Sequence, residues 1–304
     1  MIRPASFGFN PDAAESNKFA SQISSFGRIS NQEISDRAVI EFDTMVSKLR
    51  NHNINVHVFQ DSSDPIKPDA VFSNNWISTT PSGHVVVYPM RNDNRHIEIR
   101  PDIVDHLVSL IPAEVRDSMI NPPIINLTDK RSTPLEGTGS IVFDHANRKA
   151  YACRSERTSE NLLKQLCEYL EYDLVIFNAK DVAGFEVYHT NVVMAVCESF
   201  AILAKSMVEE GEEKDQLLRN LWNGKRVIEI SDSQVKNFSG NCFEVRNAMG
   251  EKVFICSSRA WSAFTEDQQS FIQNQVQTVC QVDIPVIESI GGGSARCMIT
   301  GIYF

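Results

Sequence analysis

Gly291-Gly292-Gly293-Ser294-Ala295-Arg296-Cys297-Met298 is the stretch on which the reading of the fold turns. Three consecutive glycines permit backbone geometry and close approach that side chains forbid. Cys297 follows shortly after, ahead of the apolar run Met298–Phe304, which reads as a last strand. On these residues alone Cys297 has two readings. It is a nucleophilic thiolate presented by a tight loop, or a buried strand cysteine. The octet is not a phosphate cradle, because no GxxxxGK[ST] is present and no helix clearly follows.

Working outward, five amphipathic helices are predicted. They cover about Asp36–Asn51, Asp102–Ile111, Ser159–Tyr172, Leu203–Trp222 and Glu266–Cys280. The first places Val39, Phe42, Met45, Val46 and Leu49 on one face. The third does the same with Leu162, Leu163, Leu166, Tyr169 and Leu170. Thr265-Glu266-Asp267-Gln268 opens the fifth with a capping-box pattern. Short β-rich runs lie between: Asn55–Phe59, Val85–Tyr88, Ile124–Leu127, Ser140–Phe143, Leu174–Phe177, Val192–Val196, Phe243–Val245 and Val253–Cys256. Helices recur every 50–60 residues or so, with two or three strands between them. That spacing suggests a fivefold repeat of a β–β–α–β-like unit. A βαβ dinucleotide fold competes, but no GxGxxG follows an early strand. No Pro/Gly/Ser-rich linker divides the chain, so residues 1–304 read as one domain.

The 304 residues, 42% hydrophobic and 22% charged, are enough for a sizeable core and exclude a disordered or disulfide-stapled chain. The net charge of −10 disfavours nucleic acid and anionic membranes as partners. No apolar run reaches a membrane span, and the start lacks a signal sequence. Seven cysteines without a CxxC spacing argue against a disulfide framework and a zinc site. A cytoplasmic setting is therefore expected.

Three further motifs carry candidate chemistry. Tyr188-His189-Thr190-Asn191 puts an imidazole ahead of a strand, as a general acid/base or a structural histidine. Leu135-Glu136-Gly137-Thr138-Gly139-Ser140 sets a carboxylate against glycines, for a flat ligand or as a solvated turn. Phe72-Ser73-Asn74-Asn75-Trp76-Ile77 sets two amides beside an aromatic, and alone reads as an Asx turn.

Together and in order, these motifs resemble the guanidine-modifying superfamily of arginine deiminases, amidinotransferases and dimethylarginine hydrolases. The family pattern is Phe-x-x-Asp, Glu-Gly-Gly-Asp, His-x-Asp and a C-terminal Cys after glycines. The matching positions are Phe72…Asn75, Glu136-Gly137-Thr138-Gly139, His189-Thr190-Asn191 and Cys297, and the likeness spans roughly residues 70–304. It implies an α/β fold, the pentein propeller of five pseudo-symmetric modules around a central site. Phe72–Thr79, Tyr88-Pro89-Met90, Leu135–Ser140, Gly240-Asn241 and the octet most resemble the citrulline-utilisation hydrolase branch. Asn10-Pro11 and Asn17-Lys18-Phe19 resemble it too.

The resemblance implies Cys297, His189 and Glu136 as catalytic residues, and Asn75, Asn191, Asn74 and Asn241 as substrate contacts; the α-carboxylate of the substrate needs a cation, and Arg91 and Arg95, in the segment closely following the first motif, are the leading candidates. Arg259 is a further candidate for the substrate carboxylate. No metal or organic cofactor is implied. The partner is a small molecule, and self-association is left open. Asn75, Gly139 and Asn191 stand where aspartates are expected. Arginine's guanidinium is a permanent cation that wants carboxylates, whereas a ureido group is neutral and offers an acceptor as well as donors. The expected reaction is therefore hydrolysis of citrulline or a close analogue to ornithine and ammonia through a covalent Cys297 intermediate. The alternatives are an arginine deiminase or dihydrolase, an amidinotransferase, and a non-catalytic binding module of the same fold. A papain-like protease fits poorly, since its nucleophile precedes its histidine.

Overall fold

The computed structural model describes residues 1–20, 29–130, 132–222 and 224–304. Among them, fourteen short strands form five small sheets. The first pairs β1 (Ile2–Arg3) with β2 (Phe59–Gln60). The second holds β3 (Ile77–Thr79), β4 (Val85–Val87) and β5 (Ile124–Asn126). The third holds β6 (Val142–Asp144), β7 (Lys149–Cys153) and β8 (Asp173–Phe177). The fourth holds β9 (Met194–Val196), β10 (Phe200–Leu203) and β11 (Arg226–Glu229). The fifth holds β12 (Phe243–Arg246), β13 (Lys252–Ser257) and β14 (Thr278–Val282).

Each three-stranded sheet has one pattern: strands one and two antiparallel, two and three parallel. Parallel neighbours cannot be joined by a hairpin, so a helical crossover must intervene. The crossovers contain helices Pro101–Ser109, Glu160–Leu170, Glu212–Trp222 and Glu266–Gln273. Helix Asn31–Asn51 does the same between β1 and β2. The β–β–α–β order expected from the spacing is thus present four times, with a shortened β–α–β unit first.

The helices bury the faces that their periodicity demands. Ile34, Ala38, Phe42, Met45, Val46 and Leu49 of the first pack with Val253, Ile255 and Val282. Leu162, Leu163, Leu166 and Leu170 pack with β4 and β7. Ser30 and Ser159 accept from the backbone N–H groups of Glu33 and Leu162, and Thr265 and Gln268 form the capping box.

Several expected boundaries shift. The first helix begins at Asn31, and Ala38 rather than Val39 is buried. Tyr169 is turned outward. The stretch read as one helix over Leu203–Trp222 ends β10 and then makes a short 3₁₀ turn. The helix starts only at Glu212, after Gly211 at φ +139°. The fifth helix stops at Gln273, because Thr278–Val282 is taken up as the parallel partner of β13. Of Asn55–Phe59 only Phe59 lies in a strand. Ser140, Val192 and Val193 belong to short helical turns that precede strands. Met298–Phe304 is no strand; Ala295–Met298 forms a 3₁₀ turn and the rest has no strand partner.

Those short turns position the site. Ser73–Asn75 precedes β3, Gly137–Ser140 precedes β6, Thr190–Val193 precedes β9, and Gly240-Asn241 precedes β12. Hydrogen bonds join them in chain order. The Thr138 hydroxyl donates to Asn74 O (3.4 Å), that of Thr190 to Ser140 O (2.6 Å), and Asn241 Nδ2 to Asn191 O (3.1 Å). The Asn241 amide also reaches Cys297 Sγ, and Thr300 Oγ1, just beyond the last turn, reaches Ser73 Oγ at 3.0 Å. The fifth turn thereby closes on the first.

Leu163 is fully buried beneath β4 and β7. Leu163→Ala should cost about 2–5 kcal/mol, read as a lower urea midpoint at unchanged slope.

Candidate active site

Glu136 is wholly buried, and a buried carboxylate must be compensated. Its Oε2 accepts from Arg157 Nη1 (3.1 Å) and faces His189 Nε2 at 2.8 Å. Its Oε1 accepts the backbone N–H of Arg91 at 2.9 Å. Burial opposes the charge, but Arg157 and His189 outweigh it and hold the Glu136 carboxyl well below the usual range. An ionised carboxylate only accepts, so His189 carries its proton on Nε2 and leaves Nδ1 as a lone pair. Burial lowers the His189 pKa to about 4 despite Glu136, so the ring is neutral at pH 7.

Cys297 sits in the last turn, buried, between two amides. Asn241 Nδ2 lies 3.3 Å and Asn191 Nδ2 3.7 Å from Sγ, with Asn241 Oδ1 at 3.5 Å. Burial pushes the thiol up, against these hydrogen bonds. Asn191 Oδ1 has no partner among the described residues.

Cys297 and His189 face one small cavity with Asp69, Asn75, Arg95, Arg157, Tyr188 and the three glycines on its wall. Ala13 and Asn17 cover it. Its free volume is about 20 Å³, room for about one water. The cover is pinned by Arg157, which donates to Ala13 O (2.7 Å) and to Ser16 Oγ, and by Asn17 Nδ2 donating to Gly291 O (3.1 Å). Two larger clefts of about 430 Å³ contain neither the thiol nor His189.

The residues expected at the site separate into groups. Cys297, His189, Asn75 and Arg95 line the cavity. Asn191 and Asn241 stand behind the thiol, and Asn74 stands behind Asn75, 3.1 Å from its Nδ2. Glu136 is not on the wall but behind His189, where it orients the ring. Arg91 contributes its backbone to Glu136, while its guanidinium pairs with Glu156 at 2.9 Å outside the cavity. Arg259 bonds Asn237 Oδ1 and Lys236 O in a separate cleft. Two wall residues went unrecognised in the sequence. Asp69 lies 3.8 Å from Arg95 and accepts from Asn10 Nδ2 at 2.7 Å. Arg157 follows β7. Arg95 is clamped by both Glu98 oxygens at 2.8 Å and donates to Asn75 Oδ1 at 2.8 Å. Among the described residues no group of three or more His, Cys, Asp or Glu could hold a metal ion.

Gly139, one of the positions where an aspartate was expected, has no room for any side chain. A Cβ there would lie 2.7 Å from Asn75 Nδ2 and 2.8 Å from His189 Nδ1. Gly137 has φ +46° and would meet Asn74 O at 2.2 Å. The second turn is thus pressed directly onto its neighbours.

Gly139→Ala should leave a folded protein with activity reduced at least about 100-fold, because the His189 ring must shift; circular dichroism and turnover together check this. His189 is neutral in the fold but protonates near pH 6.5 when unfolded, so its own contribution to stability falls from about pH 6.5 towards 4; His145, lowered to about 4 by burial, acts in the same direction, and Glu41 and Glu98, raised to about 7, act against it. Glu136 has a depressed pKa, so its contribution is present above its unfolded value and is lost as pH falls further. The His189 part is read by difference: the thermal midpoint of the protein minus that of His189→Gln should fall as pH is lowered from about 6.5 to 4.

Comparison with known proteins bears on the fold and the family. No curated protein matches in sequence. The N-terminal domain of ArgZ, an arginine dihydrolase from the ornithine–ammonia cycle in cyanobacteria, solved as a cysteine-to-serine mutant bound to substrate, superposes with a TM-score of 0.71. The identity is 15%, covering 100% of this chain and 98% of that one. Against apo ArgZ the TM-score is 0.70 at 16% identity, covering 98% of this chain but 39% of ArgZ, so the chain spans about two-fifths of that protein. A dimethylarginine dimethylaminohydrolase adduct with 4-chloro-2-hydroxymethylpyridine gives a TM-score of 0.61 at 14% identity, covering 87% and 90%. These likenesses establish a shared mixed α/β fold. The family profile described as N,N dimethylarginine dimethylhydrolase, eukaryotic, matches residues 3–304. The chain belongs to that family, within the guanidine-modifying pentein superfamily.

Proposed function

We propose that the protein is a cysteine-dependent hydrolase of a terminal ureido carbon, with citrulline or a close analogue as substrate. The observation that carries this is the surroundings of the thiol. Its Sγ lies against two neutral amides, Asn241 and Asn191, and Glu136 stands behind His189 instead of beside the sulfur. Amides suit a neutral ureido group, which offers an acceptor as well as donors, better than the permanent cation of a guanidinium. Cys297 attacks the ureido carbon, and its proton passes by way of His189 to the departing nitrogen, which leaves as ammonia. Water, activated by His189, then cleaves the carbamoyl thioester. The thiol is regenerated, and the carbamate falls apart to ornithine and carbon dioxide. Arg95 and Arg157, both on the wall, are assigned the substrate's α-carboxylate. Arg157 would exchange its contacts to Ala13 and Ser16 for it when the cover lifts. The closed circuit of turns supports a fivefold propeller in one domain. Seven free, buried cysteines support a reducing, cytoplasmic setting.

A second reading has its own support. Asp69 is a carboxylate on the cavity wall, the superposed ArgZ is an arginine dihydrolase, and the family profile is named for dimethylarginine. A guanidino substrate would then use Asp69, with thiolate Cys297 supplying the missing negative charge.

Product analysis separates the two. The protein is incubated with citrulline, arginine or N,N-dimethylarginine, with Cys297→Ala as control, and products are identified by mass spectrometry. Ornithine from citrulline alone is expected. Turnover of either guanidino compound at a comparable or higher kcat/KM would favour the second reading. Activity in Cys297→Ala would sink both.

A further inference from the structure

We propose that Asn241 and Asn191 form a neutral hydrogen-bonding seat for the Cys297 thiolate, so that ionisation of the nucleophile does not depend on a cationic substrate. The inference rests on Cys297 being the nucleophile and is independent of which substrate it attacks. Both edges of the Asn241 amide reach the sulfur: Nδ2 at 3.3 Å and Oδ1 at 3.5 Å. The neutral thiol therefore has an acceptor and the thiolate a donor in one side chain, without an amide flip. Asn191 Nδ2 adds a second, more distant donor at 3.7 Å.

Among the described residues no cation is hydrogen-bonded to the sulfur; the buried Arg296 favours the thiolate only through its charge, without touching it. His189 is neutral and committed through Nε2 to Glu136, Arg157 is paired with Glu136, and Arg95 with Glu98. Arg296 is adjacent in sequence, but it donates to Ile299 O and lies over the Phe243 ring in another cleft. Hydrogen bonds to an ionised acceptor are roughly twice as strong as neutral ones, so the two amides favour thiolate over thiol. The seat is also preorganised. Asn241 Nδ2 is tied to Asn191 O (3.1 Å), its backbone N–H to Phe238 O (2.8 Å), and Asn191 Nδ2 to Thr138 O (3.1 Å). Both asparagines are buried.

The test needs no substrate. Iodoacetamide alkylates only the thiolate, forming a thioether and releasing iodide. The rate at Cys297 is followed against pH in the full chain by peptide mass spectrometry. The midpoint reports ionisation whatever the access to the cavity. Asn241→Ala should raise the midpoint by about one to two pH units, a roughly 10- to 100-fold loss of reactivity at a fixed pH below it. Asn191→Ala should raise it less. Asn241→Asp, which keeps the shape but faces the sulfur with a carboxylate, should raise it as well. Circular dichroism confirms folding; should Asn241→Ala fail, Asn241→Asp and Asn191→Ala decide the matter. Midpoints superimposable on the unsubstituted protein in folded variants would overturn the proposal. They would leave the turnover assays, and the substrate reading they test, untouched.

Discussion

A carboxylate with no access to water organises this molecule. Glu136 could not remain ionised in the interior without Arg157, and removing one partner of such a pair costs about 3–5 kcal/mol by stranding the other charge. The demand for compensation therefore fixes several things at once. It draws the segment after β7 inward and captures the backbone of Arg91. It also sets the tautomer and orientation of His189. Through Arg157 it extends to Ala13 and Ser16, so the group that neutralises Glu136 also holds the cover of the cavity. Structural and chemical roles are thus combined in one ion pair.

The remaining site is built from the ends of elements rather than their middles. Glu136 and His189 stand immediately before short turns at the start of a sheet, and Cys297 lies in the final turn that meets the first. Turn residues are poorly placed to hold geometry alone, but here each turn bonds to the next, and the circuit returns to its beginning. This explains how a site assembled from five distant parts of the chain is held in one defined geometry. It also reinterprets the absent aspartate at Gly139. That position is a site of contact: Asn75 and the His189 ring fill the space where a side chain would stand. At positions 75 and 191 the amides remain inside and are hydrogen-bonded, and the thiol rests among amides rather than acids.

The periodic segments were legible because burial on one face imposes a spacing that the sequence must carry. Phe42, Met45 and Leu49, or Leu163, Leu166 and Leu170, could be assigned from that spacing. Strands of two to six residues have few positions in which to display a period: β1, β3, β7, β10, β11 and β14 went unassigned, Val192 and Val193 were read into the strand that begins at Met194, and Met298–Phe304 was read as a strand where none forms. Helix ends at Gly211 and Gln273 were set by a backbone angle and by strand pairing, neither of which periodicity reports.

The sequence by itself determined the mixed α/β class and the recurrence of helices between short strands, and it singled out the candidate site residues. Thiol, imidazole and carboxylate each stand in a distinctive local setting, and their order along the chain is a one-dimensional property. Only the tertiary structure decided what these groups do to one another. It put Glu136 behind His189 instead of on the cavity wall. It sent the Arg91 side chain outward, and it brought in Asp69 and Arg157, whose neighbours in sequence mark neither as special. Charge compensation and close packing act between residues far apart in the chain, so their outcome is fixed only when the turns meet.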